Sequence, residues 1–364
     1  MPNRIVSLDQ FRGYTVLGMF LVNFVGVFAA IKTGLPLLAH HHTYCSYADT
    51  IMPQFFVAAG FAYRLTFLRR RDTAGAAVAY RTAIRRNFAL LLIAALVYGF
   101  DGKYESWAKL HDAGVWGVLS TAFQRNFFQT LAHIAVTSLW ILPVIGTSAR
   151  VRIGYAVASG VLFHLISVAW YYEWVLKRPG IDGGPLGFLT WTIPMIAGTL
   201  AYDIVTTRPA TAVRSLLVMG AGLMLLGYGL SSMPGLIESR GALWTAHWTE
   251  PPFVPPTGPV HIWTMSQRAG SVSYLTFGAG FGLAVLGLFV FACDGRHWQS
   301  SLLCTLGNNA LAAYILHDVV NNGIRRFFPE DSPLWLIFSG FTLSLLLCTA
   351  ILRWMEHRKL FLTL

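Results

Sequence analysis

Apolar runs of about 20 residues recur from one end of the chain to the other, separated by segments richer in Pro, Gly and charge. Runs of that length match the roughly 30 Å of hydrocarbon in a bilayer. They predict helices near 12–31, 49–68, 84–100, 127–146, 153–172, 186–205, 213–230, 271–292, 300–318 and 333–353. The fold class implied is all-α: a polytopic membrane helix bundle of about 10 transmembrane helices, one domain over residues 1–364. Connections on one side are short, apart from 69–83. Those on the other side read as longer and richer loops: 32–48 with His40-His41-His42, 101–126 with Asp101, Glu105, His111 and Asp112, 173–185 with Glu173 and Asp182, and 231–270.

The long outside loop 231–270 carries Trp244, His247, Trp248, Glu250, Pro251-Pro252, Pro255-Pro256, His261 and Trp263. Its prolines preclude a regular helix, and a long loop without regular structure is usually a binding element or a lid. Aromatic faces beside carboxylates and imidazoles suit sugar rings. Trp at this depth equally serves as an interfacial anchor.

Composition sharpens the membrane reading. Only 12% of residues are charged and 55% are hydrophobic, with a mean hydropathy of +0.55, against roughly 25% charged in a soluble domain. The net charge of +11 raises nucleic acid as a partner, but the arginines are spread over short connections on alternate sides of successive spans. That is the positive-inside pattern. It places both termini in the cytoplasm of a multi-pass protein of the cell (inner) membrane, with no nucleic-acid partner; Arg325-Arg326 is the clearest exception. Cys293, Cys304 and Cys348 read as small core residues, and Cys45 alone in a loop implies no disulfide framework. The first apolar segment lacks the flanks of a cleaved signal and reads as a retained helix.

Polar residues within the spans carry the candidate chemistry. Asp9 and Arg12, one turn apart at the mouth of the first span, can pair; they read either as a snorkelling anchor or as a site facing a polar cavity. Asn23 lies inside the same span, Asp49 opens the second, and His133 sits near the start of the fourth. In the ninth, the helical period brings Asn308 or Asn309 toward one face with Tyr314 and His317, followed by Asp318. Such a stripe must face protein or water. Interhelical hydrogen bonding accounts for the amides and Tyr314 as well as function does, whereas His317 and Asp318 lean toward function. The triplet His40, His41 and His42 is the most reactive group outside, because imidazole can accept and return a proton near neutrality. Asp49 can orient such a base. A plain solvated loop and a metal tract are the alternatives; adjacent histidines converge poorly on one ion, so no metal is assigned.

Six blocks, in order along nearly the whole chain, resemble the heparan-α-glucosaminide N-acetyltransferase family of membrane acyltransferases. They are Arg4-x-x-Ser7-Leu8-Asp9-x-x-Arg12-Gly13 with Met19 and Leu21-Val22-Asn23; His41-x-x-Tyr44 with Asp49-Thr-Ile-Met-Pro53, Phe55-Phe56 and Gly60; Pro185-Leu186-Gly187 with Ile193-Pro194 and Gly198; Trp263-Thr264-x-Ser266; Gly307-x-Asn309-Ala310-Leu311-x-x-Tyr314-x-x-His317; and Trp354-x-x-x-Arg358-Lys359-x-Phe361. The chain departs from the pattern at Tyr44, where the family has tryptophan, and at His133, where it has arginine. The resemblance implies transfer of an acetyl or other acyl group from cytosolic acyl-CoA, across the bilayer, to an extracytoplasmic amino sugar or glycan, on nitrogen or on oxygen. It implies a catalytic histidine, matched best by His41 with His40 and His42 in play. Acetyl-CoA is then the donor substrate; a homodimer is left open.

On that reading Arg12 and arginines such as Arg85 or Arg86 hold the CoA phosphates, and the donor arm passes Asn23 and the Asn308/Asn309 face. Asn309 or Tyr314 stabilises the oxyanion. A covalent acyl-histidine is an open variant. The competing reading is a transporter or flippase for an anionic or sugar-bearing solute, which paired broken helices would favour.

Overall fold

The computed structural model describes residues 5–98, 105–125, 127–177, 181–238, 252–255 and 260–362. Arg4, Asp101, Trp244, His247, Trp248, Glu250, Pro251 and Pro256 lie outside them. Among the described residues the fold is all helical. The helices are α1 (Val6–Val25), α2 (Ala29–Gly34), α3 (Tyr47–Ala74), α4 (Ala76–Tyr98), α5 (Trp107–Arg125), α6 (Thr130–Ile141), α7 (Ala149–Ile166), α8 (Tyr172–Lys177), α9 (Phe188–Thr207), α10 (Ala212–Glu238), α11 (Val272–Phe289), α12 (Ser301–Asn308), α13 (Ala310–Arg325) and α14 (Leu334–His357).

Among the described residues, six helical stretches are long and apolar enough to cross a membrane: Tyr47–Ala74, Ala149–Lys177, Gly184–Thr207, Pro209–Pro234, Val272–Gly295 and Leu334–His357. They sort into two kinds. The apolar windows of the α3, α9 and α11 stretches are 67, 61 and 61% buried, whereas those of the α7, α10 and α14 stretches are 22, 28 and 22% buried. A strongly apolar helix that leaves most of its surface uncovered suits lipid contact. The first three therefore form the interior of the bundle and the second three its rim. The other four predicted spans fall on α1, α4, α6 and the α12–α13 pair, which are shorter or more polar.

Several expectations are corrected. Segment 231–270, read as a long loop whose prolines preclude a helix, begins as helix, since α10 runs through Pro234 to Glu238, and segment 173–185 likewise begins within α8, which ends at Lys177. The connection at 69–83 is helical on both sides of Gly75, where α3 ends and α4 begins. The segment at 101–126, expected as a loop, carries α5, bent at Gly114 with φ of 61°. Its charged and aromatic residues mask a helix because no apolar stripe accompanies them.

Two close helix crossings hold the frame that carries the site. A Cβ on Gly60 would fall 1.9 Å from the Met195 carbonyl oxygen, and one on Gly198 would fall 2.0 Å from that of Val57, so α3 and α9 touch backbone to backbone. Gly13 meets the Leu303 carbonyl oxygen at 1.9 Å and Gly307 that of Asp9 at 2.1 Å in the same way, joining α1 to α12. Small residues permit this approach, and interior helices in membranes depend on it.

Candidate active site

A cavity of about 300 Å³ opens between the C-terminal half of α1, the first turns of α3 and α6, the later turns of α13 and the loops at 40–42, 181–182 and 267. Met19, Val22, Ile51, Met52 and Phe55 make its apolar wall. His40, His42, Asp182, Gln267, His317 and Asp318 supply most of its polar one, and among the described residues no lysine or arginine lines it.

Local sequence explains how His40 is placed. Ser46 caps α3: its backbone N–H donates to Asp49 Oδ2 (2.9 Å), and the Asp49 N–H donates back to Ser46 Oγ (3.3 Å). This capping box satisfies two otherwise orphaned donors. The Ser46 hydroxyl also donates to the Ala39 carbonyl (2.8 Å), tying the incoming loop to the helix. Asp49 is fully buried, and Tyr274 Oη donates to its backbone carbonyl at 2.6 Å. With Oδ2 engaged in the cap, Oδ1 is left to accept from His40 Nδ1 at 2.9 Å. A carboxylate can only accept, so Nδ1 carries the proton and Nε2 is the nitrogen available for chemistry. The His40 side chain keeps 39% of its surface accessible.

The neighbouring histidines are placed differently. Burial works against a charge on His40, but the bond to Asp49 and the field of Asp182 outweigh it, and its pKa rises above the ordinary value. His42 also lines the cavity; burial and the nearby Arg268 lower its pKa. His41 is directed elsewhere. Its Nε2–H donates to the Pro36 carbonyl (2.8 Å) and its ring stacks on Tyr44 at 4.2 Å. The aromatic three residues along thus serves as a shelf for His41, which the cavity wall does not include.

Across α1 and α13, Asn23 Nδ2 donates to His317 Nε2 at 3.0 Å, while His317 Nδ1–H donates to the Tyr314 carbonyl. Both ring nitrogens are spoken for, and Phe20 stacks on the ring at 5.4 Å. His317 is therefore a fixed wall residue, with Asp318 Oδ1 also 3.4 Å from its Nε2. Tyr314 hydroxyl pairs with that of Tyr98, and Asn23 keeps one amide N–H beyond the bond to His317.

Six of the sequence candidates, Asn23, His40, His42, Tyr314, His317 and Asp318, thus meet at one cavity, with Asp49 directly behind His40. Others do not. Asn309 is buried with Nδ2 donating to Glu356 Oε1 (2.9 Å) and to the Thr305 carbonyl (2.9 Å), and Asn308 is exposed with Nδ2 near Cys304 Sγ (3.6 Å). Asp9 and Arg12 lie on the first turns of α1, about 20 Å from Asn23 along the helix at 1.5 Å per residue. His133 is fully buried between Phe128 and Trp191, outside the cavity lining.

Gln129, Thr130, Asp182 and Gln267 complete the wall without having been singled out. The one signal for Asp182 was its place before Gly183-Gly184; Gln267 follows the Trp263-Thr264-x-Ser266 block directly.

No family model and no curated protein matches the chain. Function is therefore read from the site.

Proposed function

We propose that the chain is a membrane-embedded acyltransferase, moving an acetyl or other acyl group from cytosolic acyl-CoA to an extracytoplasmic amino sugar or glycan. The observation that carries this is the His40–Asp49 dyad at a cavity, the arrangement of a general base held by a carboxylate. The ordered sequence blocks supply the acyl-transfer class. On this reading about ten spans cross the membrane, with α1, α4, α6 and the α12–α13 pair added to the six apolar stretches, and both termini are cytoplasmic.

His40 Nε2 takes the proton of the acceptor amine or hydroxyl as that atom attacks the thioester carbonyl. The carbon–sulfur bond breaks, the thiolate leaves, and the imidazolium returns the proton to it. The donors near the developing oxyanion are Asn23 and Tyr314, not Asn309, which is committed to Glu356. A wall whose described residues include no Lys or Arg suits the neutral thioester end of the donor and not its phosphates. Those stay at the opposite end, where Arg12, Arg85 and Arg86 belong to α1 and α4.

Labelled acetyl-CoA supplied with a panel of amino sugars and glycans tests the reading in purified protein: labelled product supports it, and binding of neither substrate refutes it. One feature favours a transporter instead. The ninth predicted span is broken at Asn309 (φ −109°, ψ 27°) between α12 and α13, as in carriers that bind solute beside interrupted helices. Solute uptake into vesicles without any acyl transfer would select it.

A further inference from the structure

Asp182 adopts a conformation and a burial that packing alone does not call for. Its φ of 61° lies in the left-handed region, which residues with a side chain seldom adopt, Asn and Asp more readily than most, and which the surroundings must support. The surroundings do so here. Trp191 Nε1 donates to the Asp182 carbonyl (2.8 Å), the Gly183 N–H donates to the Arg268 carbonyl (3.1 Å), and Tyr171 Oη donates to the Gly183 carbonyl (2.7 Å). The Gly183–Arg268 bond ties the loop at 181–184 to the loop at 266–271, and the other two fix it against Trp191 and Tyr171. Their product is a carboxyl group 1% exposed, at the edge of the cavity, accepting from Gln267 Nε2 at 3.0 Å.

A carboxylate offers no proton, so Gln267 must turn its NH₂ toward Asp182 and its carbonyl oxygen the other way. Gln267 and His40 line the same cavity. We propose that Asp182 is a positioning residue for His40 that acts through Gln267: it sets the amide so that its oxygen dipole faces the cavity His40 lines and favours the imidazolium formed when His40 takes a proton, leaving Nε2 to the substrate. The proposal rests on reading His40 as the base. An amide dipole held in this sense beside the His40–Asp49 pair would make the imidazole a stronger base than the pair alone provides.

The charges around His40 act in a definite order. Asp49 faces it from α3, Asp182 from the loop before α9, and His41 and His42 flank it; Arg268 lies beside His42, and Asp318 lines the cavity from α13. Burial lowers the His40 pKa, whereas Asp49, Asp182 and Gln267 raise it. Burial pushes the Asp182 carboxyl up to about 7, against the pull of Gln267 and His40. Support from Asp182 is therefore complete above neutrality and fades as pH falls and the carboxyl protonates.

The test is a titration of His40 that needs no turnover. Carbethoxylation by diethyl pyrocarbonate consumes neutral imidazole, and mass spectrometry reads it at His40 in a background carrying His41→Gln and His42→Gln. Asp182→Asn keeps a residue that tolerates the left-handed backbone, and Gln267→Met removes the amide outside the strained turn. Each should lower the apparent His40 pKa by about one unit, roughly tenfold in proton affinity, and the double variant should lower it no further. Unchanged titration in both single variants overturns the proposal. A shift in Asp182→Asn without one in Gln267→Met overturns the route through Gln267. If wild-type protein shows acyl transfer, the rise of kcat with pH should move down by the same amount while KM holds. If it shows none, the transferase reading fails and the titration still decides the role of Asp182.

Discussion

Among the described residues the bundle buries charge in two regions, and it treats them in opposite ways. Between α3, α7 and α9, Arg64 Nε donates to Asp203 Oδ1 at 2.6 Å and its terminal nitrogen to the Ile145 carbonyl. Arg152, fully buried, donates to Thr199 Oγ1 at 2.6 Å and to the second Asp203 oxygen. Apart from Arg152 Nε, these groups satisfy one another. At the cavity, His40, Asp49, Asp182 and Gln267 satisfy one another on one side and face about 300 Å³ of space on the other. Both regions bear the cost of desolvating charge. Closed bonding in the first makes it a fastener of three helices; bonding that stops at a void in the second leaves valence for a substrate.

The comparison is broken most forcefully at Asp203. Asp203→Ala strands two guanidiniums and should cost about 3–5 kcal/mol, read as a lower melting temperature in detergent. Melting like wild type would remove the fastener from the account. Asn309→Ala, which loses Glu356 and the Thr305 carbonyl, should cost about 1–3 kcal/mol yet leave kcat of the folded protein unchanged. A fall in kcat at intact stability would return Asn309 to the site.

Acidity offers a subtler probe. Burial raises the Asp182 carboxyl from its ordinary 3.8 to about 7, so the folded protein binds that proton more tightly than the unfolded chain. The resulting contribution to stability is full below the ordinary carboxylate range and is lost as pH rises toward about 7. Asp182→Asn should flatten that part of the melting profile; an unaltered slope would contradict the buried, proton-binding carboxyl. The smallest effect belongs to His41, turned onto Pro36 and Tyr44: His41→Ala should alter acyl transfer by no more than about twofold.

Much of this was legible in the chain, for physical reasons that differ residue by residue. Apolar runs announced the helices, and Ser46-x-x-Asp49 before an apolar run is the pattern of a capping box, so Asp49 beside a histidine triplet could be expected. Which imidazole meets it depends on the turn at Ala39–Ser46, which spacing alone does not determine. The helical period misled at Asn308 and Asn309 because it assumes one continuous helix. The chain breaks at Asn309, so the amides and the Tyr314–His317 face belong to different helices. Asp182 and Gln267 are 85 positions apart, and only the packing of two loops brings them together.

The central claim is that His40, held by Asp49, is the base of an acyl transfer. The most direct measurement is transfer from labelled acetyl-CoA to an amino-sugar and glycan panel by purified wild-type, His40→Ala and His41→Ala proteins of equal stability. The account predicts a loss of about 10²- to 10⁴-fold in His40→Ala and near-wild-type transfer in His41→Ala. Full transfer by His40→Ala, with loss confined to His41→Ala, would contradict it.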